Sequence, residues 1–207
     1  MTAQGDSMPD AYTREEQRLL LALARETLAR ITAGEELPDV DLDALPPALA
    51  QERACFVTLR RRDDGALRGC TGTLVARRPL AEEVVSMTVQ TAFYDPRFTP
   101  VQAHEVPGLH LEISVLTPSQ PLDFSDPDDL LRKLRPGVDG VTLRLDRRRA
   151  TFLPQVWENY PDPRLFLMLL AQKMGADPDA WRDPRLQVET YQAIIIEEDE
   201  TSDESPH

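Results

Sequence analysis

From Leu109 to Leu116 the chain alternates without a break, with Leu109, Leu111, Ile113 and Val115 on one side and His110, Glu112, Ser114 and Leu116 on the other. A period of two with apolar residues at every second position marks a strand with one buried face. Such a strand obliges the rest of the chain to supply partner strands and a covering layer. Two hairpins answer the first need. Cys55-Phe56-Val57-Thr58-Leu59 is rich in strand formers, and Asp63-Asp64-Gly65 turns it back into Leu67-Arg68-Gly69-Cys70-Thr71-Gly72-Thr73-Leu74. Val141, Leu143 and Leu145 alternate with Thr142, Arg144 and Asp146, and Asp146-Arg147-Arg148-Arg149 leads back into Ala150-Thr151-Phe152-Leu153. Val188 to Ile196 reads as one closing strand.

Helices supply the cover. Thr13-Arg14-Glu15-Glu16 is a capping box, in which the Thr13 hydroxyl and the Glu16 carboxylate each satisfy the other's amide. Apolar residues then recur at Leu20, Ala24, Thr27/Leu28 and Ile31 until Gly34 stops the helix, so it ends near Ala33. A stiff Pro- and Asp-rich link leads to a short helical turn around Ala48 and Glu52. Pro79 opens a helix to about Ala92, with its apolar face at Leu80, Val84, Met87 and Thr91 and a stop at Asp95-Pro96. A short helix follows at Asp126 to Leu134, and a buried one at Leu165 to Met174 between Pro163 and Gly175. Strands and helices do not alternate as βαβα units, so the fold class is α+β, with a mixed or mostly antiparallel sheet and flanking helices.

With 207 residues the chain is long enough for a core without disulfides or metal. The folded part is expected at 13–197, between a flexible start at 1–12 and a disordered acidic tail at 198–207. Net charge is −13, and the residues from Glu197 onward contribute six acids and no base. The remainder stays negative, which disfavours binding to a phosphate backbone. No apolar run approaches the ~20 residues of a membrane span, and no signal-peptide pattern opens the chain, so a cytoplasmic location is expected. Cys55 and Cys70 make up neither a disulfide framework nor half of a zinc site, and no metal is expected.

The most unusual local sequence surrounds Cys70. Gly69 and Gly72 remove side-chain bulk on both sides of it, which would let a small molecule approach the sulfur. Arg68 is a weak local source of positive charge, so stabilising a thiolate needs a cation from elsewhere in the fold. The alternative is a packed structural cysteine, the reading that fits Cys55 in its apolar strand. Asp95 and Arg97 suit a polar substrate through the forked guanidinium, or else cap a turn as a pair. Glu112 stands on the polar side of its strand and is an acid or base if that face lines a site. His104 and His110 flank a Pro107-Gly108 turn at a spacing that no metal motif uses.

Five segments occur together: LRGCTGTL at Leu67 to Leu74, DPRF at Asp95 to Phe98, LEISVLTP at Leu111 to Pro118, the GVDGVTLRL run, and ATFLPQVWE at Ala150 to Glu158. In this set and order the chain resembles the AMMECR domain family, also called AmmeMemoRadiSam system protein A, from about Arg14 to Glu197. Thr71 stands where the family usually has Ile, and Phe93-Tyr94 precede the DPRF segment where smaller residues are common. The resemblance implies two unequal lobes with the motif residues around a cleft between them. It also implies the company of a radical SAM enzyme and a Memo-like protein, without an established reaction or cofactor.

Three functions follow as expectations. The first is a small-molecule enzyme or enzyme component, with Cys70 as nucleophile or redox thiol and Glu112 or His104 as acid or base. Its substrate-binding residues would be Arg68, Gly69, Thr71, Gly72, Asp95 and Arg97. The second is a non-catalytic binding module for the radical SAM and Memo-like partners. The third, a nucleic-acid-associated role, is disfavoured by charge.

Overall fold

The alternating segment forms strand β3 (Leu109–Leu116), paired on one side with β1 (Cys55–Arg61), which in turn pairs with β2 (Leu67–Gly72). Strand β8 (Ala193–Glu197) completes a four-stranded sheet of order β2-β1-β3-β8. Cys55, Val57, Leu59, Leu111, Ile113 and Val115 all face one side and are buried there. Helices α1 (Arg14–Ala33) and α2 (Leu80–Phe93) cover that side with Leu20, Ala24, Leu28, Leu80, Ala81 and Val84. Each fully buried leucine or isoleucine of this layer contributes roughly 1.5–3 kcal/mol. The Thr13 capping box is present, and Gly34 closes α1 in the left-handed region at φ 75°.

The structure is a computed structural model that describes residues 12–199. The chain divides into two compact units: one ends at Leu116 and resumes at Ile194, and the other is Thr117–Ala193. The second unit has its own antiparallel sheet of order β4-β7-β5-β6, made of β4 (Gln120–Pro121), β5 (Gly140–Leu145), β6 (Arg148–Phe152) and β7 (Gln187–Tyr191). Helices α3 (Pro127–Lys133) and α4 (Pro163–Lys173) start with proline and are capped by Asp126 and Asp162. Its core gathers Leu130, Val141, Leu143, Phe166, Leu170 and Trp181 around Trp157, which stacks on Phe166 with ring centroids 3.6 Å apart. The Trp157 indole N–H donates to the Asp139 carbonyl at 2.7 Å.

Four expectations change. The single closing strand from Val188 to Ile196 is two strands, β7 and β8, that belong to different sheets. The break falls at Gln192, whose amide donates to the Thr117 hydroxyl at 2.8 Å while its carbonyl accepts from the Thr117 amide at 2.9 Å. The helical turn expected around Ala48 and Glu52 is only a hydrogen-bonded turn, and the 3-10 helix of that link lies at Leu42–Ala44. Tyr12, the last residue of the expected flexible start, is buried in the core. Glu198, placed at the head of the acidic tail, is tied down: its carboxylate accepts from Arg25, from Arg62 at 2.7 Å and from the Leu111 amide at 3.1 Å. Residues 1–11 and 200–207, the rest of the two expected termini, lie outside the described residues.

Candidate functional site

Strand β2 is an outer strand of its sheet, so the backbone groups of Cys70 that point away from β1 need partners from elsewhere. The segment after α2 provides them. The Cys70 amide donates to Asp95 Oδ2 at 2.9 Å, and the Cys70 carbonyl accepts from Arg97 Nη2 at 3.0 Å. Asp95 Oδ1 accepts from the Arg97 amide at 3.1 Å and from Nε at 2.9 Å, while Oδ2 accepts from Nη2 at 2.7 Å. Asp95 is buried and Arg97 half-exposed. The Arg97 hydrogen bonds, helped by the Cys70 amide, hold the Asp95 carboxyl well below the usual carboxylate range. Hydrogen bonding to Asp95 likewise raises the pKa of Arg97, with a smaller contribution from Cys70.

The glycines around the sulfur serve packing. A Cβ on Gly69 would lie 2.8 Å from the Thr91 carbonyl oxygen, and one on Gly72 would enter the Phe56 ring and come within 2.6 Å of the Cys55 carbonyl oxygen. The space they leave is therefore filled by α2 and by Phe56. Thr91 reinforces the same junction: its hydroxyl accepts from the Thr71 amide at 3.2 Å and donates to the Val57 carbonyl at 3.0 Å, bridging two residues that oppose each other across β1 and β2.

Arg68 is committed elsewhere. The β1–β2 register slips between Leu59, opposite Gly69, and Arg60, opposite Leu67, so Arg68 is the extra residue of a bulge. Its guanidinium forks onto Glu105 at 2.9 and 3.1 Å, and these bonds lower the Glu105 pKa. The Phe98 ring lies near both arginines, its centroid 5.5 Å from Arg97 and 5.9 Å from Arg68.

On the sheet face opposite the core, Cys70 stands across from Thr58, and Thr58 across from Glu112. The Thr58 hydroxyl donates to the Cys70 sulfur at 3.4 Å. Two strand spacings put the Glu112 backbone about 10 Å from that of Cys70. The Glu112 carboxylate accepts from the Ser114 hydroxyl at 3.1 Å. His104 sits exposed in the 3-10 segment Ala103–Gly108, beside a hollow of about 510 Å³ lined by Arg61, Arg62, Asp63, Glu105 and Leu109. His110 lies 3.7 Å from Glu197. The structure thus joins Cys70, Asp95 and Arg97, puts Glu112 on the same sheet face as the Cys70 side chain, commits Arg68 to Glu105 and leaves His104 exposed. It adds Thr58, which faces Cys70 because the bulge at Arg68 shifts the register: counting out from Arg60 opposite Leu67 without it gives Gly69. Cys55 is fully buried on the other face, and burial pushes its thiol well above the ordinary range.

Among the described residues no group of three or more His, Cys, Asp or Glu side chains is arranged to hold a metal ion. No helix among them is long and apolar enough to cross a membrane.

The AMMECR1 family model matches residues 21–196, nearly the whole described chain. The chain belongs to the AMMECR1 family. An AMMECR1-family protein of Methanothermobacter thermautotrophicus is 36% identical over 191 residues, covering 90% of this chain and 96% of that one. Protein MK0488 of Methanopyrus kandleri is 33% identical and covers 93% of each chain. The crystal structure of uncharacterized protein PH0010 from Pyrococcus horikoshii matches with a TM-score of 0.76 at 33% identity, covering 90% of this chain and 93% of the other. The α+β architecture of this chain is therefore found in an experimentally solved relative.

Proposed function

We propose that this AMMECR1-family protein is an enzyme, or a component of one, that transforms a small molecule at the Cys70 thiol. One observation carries the reading. Cys70 is partly exposed and its sulfur receives a hydroxyl hydrogen bond from Thr58, while its backbone is held on both sides by Asp95 and Arg97. A reactive group fixed in this way keeps its aim during reaction. Asp95 and Arg97 act as positioning residues, and Glu112, with Ser114 beside it, is a carboxylate on the same face that could exchange protons with a bound molecule.

Site-resolved alkylation of the folded protein across pH tests this. Cys70 labels in the native state and Cys55 only after unfolding; a Cys70 as inert as Cys55 refutes the reading. The engagement of Asp95 and Arg97 with each other also favours a second reading, a binding module for radical SAM and Memo-like partners in which the motif is a scaffold. Co-purification with those partners that survives Cys70→Ser supports the module over the enzyme.

A further inference from the structure

We infer that the junction between the first turn of α2 and segment 49–53 is a proton-linked latch, tight when the Glu83 carboxyl carries a proton and loosened when it is ionised. The inference stands apart from the thiol reading. Three acids are buried among the described residues: Glu83, Asp95 and Asp139. Two of them are surrounded by donors. Asp95 accepts from the Cys70 amide and from Arg97, and Asp139 accepts from the Arg135 amide at 2.9 Å and from the Arg135 guanidinium at 2.7 Å. Glu83 accepts no hydrogen bond among the described residues, although its side chain is only 6% exposed. The cation beside it is Arg78, which is 3.7 Å away and 56% exposed.

A carboxylate without donors is costly in such a place, whereas the neutral acid is tolerated, because desolvation penalises the charged form. Burial accordingly raises the Glu83 pKa, and Arg78 offsets only part of that. Of the elements packed on α2, β1 brings the Cys55 thiol, which burial and then the Glu83 charge keep neutral. Neither α1, β2 nor segment 49–53 brings a group that acts on Glu83 electrostatically.

The proton is coupled to a defined set of bonds. In the turn that holds Glu83, the Leu80 amide donates to the Gln51 carbonyl at 2.8 Å and the Ala81 amide to the Leu49 carbonyl at 3.0 Å. The Arg53 amide donates to the Arg78 carbonyl at 3.4 Å. Parting these bonds lets water reach the carboxylate, so the open form titrates as an ordinary glutamate, at about 4.3, and the closed form above it. Closure is therefore most favoured below that ordinary value, weakens as pH rises from there through the raised value, and levels off beyond it. At its other end α2 carries Thr91, whose hydroxyl accepts from the Thr71 amide next to Cys70, so the latch acts on the helix that fastens the Cys70 strand.

The test follows hydrogen exchange of the Leu80 and Ala81 amides by NMR in the full chain, as protection factors between about pH 4 and pH 8, in wild type and Glu83→Gln. Glutamine stands in for the protonated acid and every other titration is shared, so the ratio of the two proteins isolates Glu83. Protection in the variant over that in wild type is expected to rise about fivefold across the range. Arg78→Gln removes the compensating cation and should steepen the fall of protection with pH while Glu83 is present. A ratio that stays flat overturns the latch, as does a Glu83→Gln protein less protected than wild type at the alkaline end. If the glutamine variant does not fold, Arg78→Gln decides, and a profile that coincides with wild type overturns the latch.

Discussion

Asp95 accepts the amide of Cys70 at 2.9 Å, from a position twenty-five residues further along the chain. Through this bond the end of α2 and the outer strand of the sheet become one unit, and the same carboxylate orders the arginine that holds the other side of Cys70.

Asp95→Asn is expected to destabilise the protein by about 2 kcal/mol at neutral pH, since the amide replaces a buried, charge-assisted acceptor of four hydrogen bonds. The Asp95 pKa is lowered in the folded state, so its contribution is fully present above the unfolded value of about 3.9 and is lost as pH falls from there toward the folded value. Urea midpoints of wild type and variant should therefore differ most near pH 7 and converge in acid. A gap that stays constant down to pH 2 contradicts this account.

Gly72→Ala places a methyl in the Phe56 ring and against the Cys55 carbonyl. The expected loss is about 1–3 kcal/mol, partly recovered in the double variant with Phe56→Leu. Thermal melts of the four proteins decide it, because additive losses would show that Phe56 is not the obstacle.

Glu198→Ala leaves Arg25 and Arg62 without their shared carboxylate and the Leu111 amide without its side-chain acceptor. A cost of about 1–2 kcal/mol is expected, reduced by added salt because both arginines are partly exposed. Denaturation in low and high salt should show the variant approaching wild type as salt rises.

In the second unit Tyr191 packs on Gly140, and its hydroxyl meets the Thr151 hydroxyl at 2.9 Å and donates to the Phe152 carbonyl at 3.1 Å. Tyr191→Phe keeps the ring and removes those bonds, for an expected loss of about 1 kcal/mol. Burial raises the Tyr191 pKa, so spectrophotometric titration should show an ionisation above the ordinary tyrosine range in wild type that the variant lacks.

Local signals made much of the fold legible. The capping box at Thr13, the Asp63-Asp64-Gly65 turn and the period of two in β3 are each complete within a few residues, so neighbouring sequence determines them. The β7–β8 division is different. The β-branched run into Ile196 contains no glycine or proline, and the break at Gln192 is set by Thr117, which lies 75 positions away in the chain. Glu198 likewise looks like any residue of an acidic tail until Arg25, 173 positions earlier, is brought beside it. At the site, Cys70 with Asp95 and Arg97 was legible as a set of unusual residues. The occupation of the glycine gaps by Thr91 and Phe56, and the diversion of Arg68 to Glu105 by a bulge, depend on packing that no short window of sequence contains.

The clamp on Cys70 has a further effect. An outer strand with unpaired amides and carbonyls is a template on which another polypeptide can add a strand, the first step toward domain swapping or fibril growth. Asp95 and Arg97 cap that template at its centre, and Lys173 does the same on the outer strand β6 by donating to the Thr151 carbonyl at 3.0 Å. Loosening either cap is expected to be felt in how the protein tolerates crowding and concentration.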